Sequence, residues 1–182
     1  MAERFLETER LILRELTLDD VDSLHEVLGD PWTMRHYHHP FSRQEVVEWI
    51  ERWMASYRAN RFGLWGLVLK ETGELVGDTG LTWQEVDGQP LVEVGWHVDK
   101  RYQRRGLATE AGRASLEYGF GSLGLDRIIS LIRPENEPSS RVAEKLGMRV
   151  WKETMRSHYL HRVYLLGRED RSGVVTDVTS SR

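Results

Sequence analysis

The chain has 182 residues, 40% hydrophobic and 30% charged, which is enough apolar material for one compact core. A net charge of −4 gives no basic field toward nucleic acid or anionic lipid. The absence of cysteine excludes disulfides, a thiol nucleophile and cysteine-ligated metal.

Met1–Arg10 is charged and lacks the apolar h-region of a signal peptide. No apolar run approaches the roughly 20 residues needed to span a bilayer. The expectation is a cytoplasmic protein with no nucleic-acid or membrane partner.

Glu9–Leu16 alternates and predicts a first strand. Thr17 is a helix N-cap with acids behind it, Val21, Leu24, Val27 and Leu28 form a helical stripe, and Gly29-Asp30-Pro31 stops it. Pro31–Phe41 is an aromatic-rich loop with His36, Tyr37, His38 and His39. Adjacent imidazoles in a short loop cannot all face one ion, so no metal site is assigned. Ser42-Arg43-Gln44-Glu45 is a capping box, and Val46, Ile50, Trp53 and Tyr57 mark the buried face of a second helix.

Phe62–Lys70 and Glu74–Trp83 read as strands around a tight turn at Glu71-Thr72-Gly73. Gln84–Pro90 reads as a turn region. Leu91–Val98 is the next strand, with Glu93, Gly95 and His97 on one face. A basic loop, Asp99–Arg105, leads into a helix opening at Gly106. The junction Gln103-Arg104-Arg105-Gly106-Leu107-Ala108 leaves free backbone N–H groups at a helix N-terminus, a arrangement that favours phosphate. An ordinary strand-to-helix connection with an exposed basic turn is the alternative reading.

Gly119-Phe120-Gly121-Ser122-Leu123-Gly124 matches a dinucleotide-binding pattern literally, but it ends a helix instead of opening one, so it is read as helix termination. Arg127–Ile132 is a short buried strand. Asn136 caps a fourth helix with Pro138 in its first turn and Gly147 at its end. Met148–Thr154 and His158–Leu166 form a last hairpin turning near Met155-Arg156-Ser157, with His158 and His161 on opposite faces of one strand. These elements predict an α/β (α+β) chain with a mixed, mostly antiparallel sheet of about seven strands and about four helices. A single domain is expected over residues 1–170, with a polar, disordered tail at 171–182.

Gln103, Gly106 and Ala108 fill the [Gln/Arg]-x-x-Gly-x-[Gly/Ala] motif, and Glu93-Val94-Gly95-Trp96 precedes it. Ala108-Thr109-Glu110-Ala111 follows, then Asn136-x-x-Ser139 and Glu144-Lys145-Leu146-Gly147-Met148. This constellation, over roughly Thr8 to Asp170, resembles the GNAT superfamily of N-acetyltransferases, in particular the branch that acetylates ribosomal-protein N-termini. Only the final Phe of the last motif is changed, to Met148.

The resemblance implies the GNAT fold with splayed central strands, here Leu91–Val98 and Arg127–Ile132. It implies acetyl-CoA as co-substrate, an amine acceptor (a protein N-terminus or a small molecule), no metal, and dimerisation as a common state. The first two helices and their loop would wall the acceptor groove; the aromatic-rich loop Pro31–Phe41 is itself read as mobile. Acetyl-CoA would be held by Trp96, His97, Val98, Gln103, Arg104, Arg105, Gly106, Leu107, Ala108, Thr109, Asn136 and Ser139. Backbone groups around Trp96–Val98 would face the oxyanion.

An ammonium cannot attack a thioester, so a base is required. Glu93 is the first candidate for it, and a carboxylate held in a structural hydrogen bond is the alternative. His97 is the second candidate, because imidazole titrates near neutrality. The family's tyrosine acid position is Ala143, which cannot donate a proton, so Ser139 is the implied substitute. Asn136 either contacts the pantetheine arm or only caps its helix. A non-catalytic acyl-CoA-binding module on the same scaffold is the competing function.

Overall fold

The computed structural model describes residues 6–170, and the expected tail at 171–182 lies outside them. Among the described residues eight strands form one sheet in the order β1-β2-β3-β4-β5-β6-β8-β7. They are β1 (Leu6–Glu7), β2 (Leu11–Arg14), β3 (Leu64–Leu69), β4 (Leu75–Val86), β5 (Gln89–Val98), β6 (Arg127–Ile132), β7 (Arg149–Arg156) and β8 (Tyr159–Gly167). Four α-helices of the described residues accompany them: α1 (Val21–Leu28), α2 (Arg43–Asn60), α3 (Leu107–Gly121) and α4 (Glu137–Lys145). The sheet is mixed. β5 and β6 run parallel, and every other neighbouring pair is antiparallel.

The predicted stripes are the buried ones. Val21, Leu24, Val27 and Leu28 of α1 are buried, as are Val46, Ile50, Trp53 and Tyr57 of α2. The Ser42 capping box is formed, with Ser42 Oγ accepting the Glu45 N–H at 3.3 Å and Glu45 accepting the Ser42 N–H at 2.7 Å. Leu75–Thr82 of β4 is buried on both alternating faces, so the sheet is covered on both sides there. Period two disappears in such a strand because neither face meets water.

Four boundaries differ from the sequence reading. The two-residue strand β1 adds an eighth strand, paired to β2 through Leu6 and Leu13. Thr17 opens a 3-10 turn at Leu18–Asp20 before α1 begins. The turn region at Gln84–Pro90 shrinks to Asp87-Gly88, whose φ angles of 50° and 77° make the tight turn that suits a twisted hairpin. The last hairpin turns at Ser157-His158, both at positive φ, so His158 sits in the turn and not on a strand face.

The parallel junction positions the site. β4 and β5 stay in register over ten residue pairs, from Gly77 opposite Val98 to Val86 opposite Gln89. β5 and β6 meet at one pair, Glu93 opposite Ile129. The two strands therefore part toward the C-terminal end of β5. The main core lies under β2–β5 and the helices, while Val86, Leu91, Ile129 and Val163 form a separate small cluster at the other end of the parted strands.

Candidate active site

A cleft of about 780 Å³ opens beside the parted strands. Glu93, Gly95, Trp96 and His97 of β5 line one side. Trp49, Arg52 and Trp53 of α2 line another, and His36, Tyr37 and His38 close it from the loop between α1 and α2. Asn136 and Arg133 lie at its β6 end, with Arg156 and Tyr159 from the last hairpin. The face of β5 read from its alternation is thus the cleft face.

Glu93 bridges the gap between the strands. Its Oε1 accepts the Leu131 N–H at 2.9 Å, and its Oε2 accepts from Gln84 Nε2 at 2.7 Å. Burial pushes its carboxyl above the ordinary carboxylate range, against the opposing pull of the Leu131 N–H. The alternative reading, a carboxylate in a structural hydrogen bond, is therefore present in the same residue that lines the cleft.

His97 is 8% exposed, with a partner on each ring nitrogen. Nδ1 lies 2.5 Å from Oδ1 of Asp78, which faces His97 in the β4–β5 register. Nε2 lies 2.6 Å from the Tyr37 hydroxyl. Asp78 is fully buried, and its second oxygen accepts the Trp49 indole N–H at 2.9 Å. Asp78 and Tyr37 have no local motif, so reading the chain residue by residue does not find them. Their partners lie 19 and 60 positions away.

The loop bearing Tyr37 makes specific contacts with its surroundings. The Phe41 N–H donates to the Leu28 carbonyl at 2.8 Å, Asp30 caps Thr33 and ion-pairs with Lys100, and Met34 is 1% exposed. Its histidines point to different partners. His39 pairs with Glu45, His38 stacks near Tyr159, and His36 lines the cleft. Among the described residues no group of three or more His, Asp or Glu could hold a metal ion.

The basic turn ends in Gly106, the N-cap of α3, at φ 81°. A side chain there is strained, and no side chain caps the helix. The Glu110 N–H is bonded to the Gly106 carbonyl at 3.0 Å, leaving the N–H groups of Leu107, Ala108 and Thr109 without intrahelical partners. Leu107 is buried, so it can offer only its backbone. Arg104 and Arg105 are exposed, Arg104 at φ 63° and Arg105 over the Tyr102 ring. Gln103 turns inward, its Nε2 donating to the Val98 carbonyl at 2.9 Å, so its side chain fastens the end of β5.

Arg10 joins this turn from the other end of the chain. It ion-pairs with Glu110 at 2.6 Å and donates to the Arg105 carbonyl at 2.9 Å. On α4, Asn136 caps the helix through the Ser139 N–H at 3.3 Å and reaches the cleft edge. Ser139 does not line the cleft. Ala143 is fully buried.

A sheet parted between parallel strands, an uncapped helix N-terminus after the first of them, and a walled cleft on the opposite side define an acyltransferase-type fold. The sequence model described as the acetyltransferase (GNAT) domain matches residues 10–149. The chain belongs to the GNAT acetyltransferase family and is an N-acetyltransferase. It is 34% identical over 148 residues to the uncharacterized protein YkkB of Bacillus subtilis, covering 81% of this chain and 86% of that one. It is 26% identical over 164 residues to the spermidine N(1)-acetyltransferase of Escherichia coli K12, covering 84% and 80%. A GNAT-family acetyltransferase structure from Bacillus anthracis superposes with a TM-score of 0.78 at 28% identity, over 91% of this chain and 99% of that one.

Proposed function

We propose that the cleft transfers an acetyl group from acetyl-CoA to a primary amine by direct attack in a ternary complex. The observation that carries this is the single β5–β6 register pair at Glu93, with the uncapped N-terminus of α3 one turn beyond the end of β5. The parted strands leave room for a pantetheine arm, and the backbone of Trp96–Val98 supplies donors for the thioester oxyanion. The N–H groups of Leu107, Ala108 and Thr109, with Arg104, Arg105 and Gly106, hold the pyrophosphate. Asn136 contacts the arm from α4.

Glu93 is the base, directly or through a water, because a carboxyl lifted by burial is a stronger proton acceptor. The cleft lining carries Arg52, Arg133 and Arg156 against one carboxylate, Glu93. Arg133 is paired with Glu135, while Arg52 and Arg156 have no ion pair among the described residues. That balance disfavours a polycation such as spermidine and favours a single amine on a neutral or anionic body, such as a peptide N-terminus. An α-amine, with a pKa of about 7.7–8.0, also needs less help to lose its proton than a lysine at about 10.4. The reading includes a cytoplasmic homodimer with the last hairpin at its interface, where Val150, Trp151, Met155 and Leu160 are 40–66% exposed.

Thiol release from acetyl-CoA, measured with short peptides, spermidine and free lysine in parallel, tests the reading. Turnover fastest with a peptide α-amine is expected. Faster turnover of spermidine would overturn the acceptor class, and no thiol release with any amine would overturn the transfer itself.

A further inference from the structure

We propose that Asp78, His97 and Tyr37 form a proton relay whose outer member, the Tyr37 hydroxyl, protonates the departing thiolate; this rests on the acetyl-transfer reading above. Three separate elements bring the relay together: β4 carries Asp78, β5 carries His97, and the loop after α1 carries Tyr37. The distances are 2.5 Å from Asp78 Oδ1 to His97 Nδ1 and 2.6 Å from His97 Nε2 to the Tyr37 hydroxyl. The Tyr37 and His97 ring centroids are 5.1 Å apart.

The relay runs from the buried sheet to the cleft. Asp78 is fully buried, His97 is 8% exposed and Tyr37 is 44% exposed and lines the cleft. A buried carboxylate is a costly way to fill a core unless it is fully paired. Asp78 is paired on both oxygens, by His97 and by the Trp49 indole N–H, so its own orientation is fixed. It fixes the orientation of the imidazole through Nδ1.

The site needs such a donor. Ala143 offers no hydroxyl and Ser139 does not line the cleft. Burial of the Tyr37 hydroxyl, together with Glu93 and Asp78 nearby, pushes the phenol well above its ordinary range. A phenol that resists ionising gives up a proton only as another replaces it, and His97 is placed to supply the replacement.

The amine nitrogen forms its bond to the acetyl carbon, and its surplus proton passes to Glu93. The carbon–sulfur bond breaks with its electron pair going to sulfur. Sulfur takes the Tyr37 hydroxyl proton, the Tyr37 oxygen takes the Nε2 proton of protonated His97, and His97 is left neutral with its Nδ1–H on Asp78. Solvent then removes the proton from Glu93 and restores one to His97. The charged and titratable groups around the relay are Asp78 of β4, Glu93 of β5, His36 and His38 of the loop after α1, Arg52 of α2, Arg133 after β6, and Arg156, Tyr159 and His161 of the last hairpin.

The test is kcat for thiol release across about pH 6.5–9.5 in wild type, Tyr37→Phe and Asp78→Asn, with a thermal melt of each. Tyr37→Phe is expected to lower kcat about 100-fold near pH 7 with the acetyl-CoA KM unchanged. The deficit should shrink above about pH 8.5, where a thiolate leaves without a proton. Asp78→Asn is expected to lower kcat with the acetyl-CoA KM unchanged, because the His97 ring loses the partner that fixes it. A Tyr37→Phe enzyme with wild-type kcat, or with the same deficit at every pH, would overturn the relay. If Asp78→Asn does not fold, Tyr37→Phe alone decides, since Tyr37 sits half-exposed on a loop. Wild-type enzyme that releases no thiol would instead overturn the acetyl-transfer reading.

Discussion

Glu93 and Leu131 are joined across the gap in the sheet. The Glu93 carboxylate accepts the Leu131 N–H at 2.9 Å, two residues beyond the one point where β5 and β6 pair. A side chain thereby completes a hydrogen bond that the parted backbones cannot make, and the same side chain faces the cleft.

Two effects of Glu93→Gln follow, one on rate and one on stability. The amide still accepts from Leu131, so the fold should survive. The base is lost, and the rate should fall, most at low pH where less of the amine is free; an unchanged rate across about pH 6–9 would remove Glu93 as the base. The sign of the stability effect comes from burial, which raises the folded-state pKa of Glu93. A raised pKa means the folded chain holds this proton more tightly than the unfolded one. That contribution is full below the ordinary glutamate value of about 4.3 and is lost as pH climbs through the raised value. Melting temperatures of wild type and variant should therefore diverge in favour of the variant as pH rises from about 4.5 toward neutrality.

Gly106→Val and Gly106→Ala separate backbone strain from ligand approach. At φ 81° any Cβ is strained, by roughly 1–2 kcal/mol. The nearest atom to such a Cβ is an Arg10 guanidinium nitrogen at 3.5 Å, so the folded chain has room for it. Both variants should fold, melt a few degrees lower, and bind acetyl-CoA at least tenfold more weakly, as read by calorimetry. Unaltered affinity in a folded variant would refute phosphate binding at this turn.

Arg10→Ala probes the link between the two ends of the chain. The Arg10 side chain is 45% exposed, so its ion pair with Glu110 should contribute less than about 1 kcal/mol. Glu110 is held below the ordinary glutamate range; burial works against this, but hydrogen bonds from Thr8 and Arg10 outweigh it. Without Arg10 that charge stands beside the phosphate site in the first turn of α3. Acetyl-CoA affinity should drop several-fold, with the drop shrinking at high salt. A loss independent of salt would exclude this electrostatic account.

Tyr57→Phe addresses stability alone. The Tyr57 hydroxyl accepts the Leu16 N–H at 3.2 Å and donates to the Leu64 carbonyl, tying α2 to the chain after β2 and to β3. Removing it leaves two buried backbone groups unpaired, at about 1–3 kcal/mol. Denaturant titration should show that loss with acetyl-CoA affinity unchanged. A variant as stable as wild type would mean that the two backbone groups find other partners.

Legibility in the sequence tracked the range of the interactions. The Ser42 capping box, the Asn136 cap, the stripes of α1 and α2 and the extent of β6 depend on residues within a turn or two of one another, and they read correctly. The Asp87-Gly88 hairpin carried its turn signal, but the polar residues beside it, Gln84 and Glu85, belong to strand and masked the boundary. Ser157 and His158 adopt positive φ with no glycine to mark them. Gln103 was legible as a motif residue, although its amide is spent on the Val98 carbonyl. Asp78, Tyr37 and Arg10 were not legible as site residues. Each takes its meaning from a partner in another element, and no local pattern encodes that.

A thermal shift with acetyl-CoA, set against ADP and NADH at the same concentration, decides whether the chain holds this cofactor. Ligand at about 100 times its Kd adds roughly 2.7 kcal/mol of stability, which means several degrees for a chain of this size. That shift is expected with acetyl-CoA, and little with the other two. No shift with acetyl-CoA would contradict it, because the parted strands and the turn at Gly106 would then hold no such cofactor.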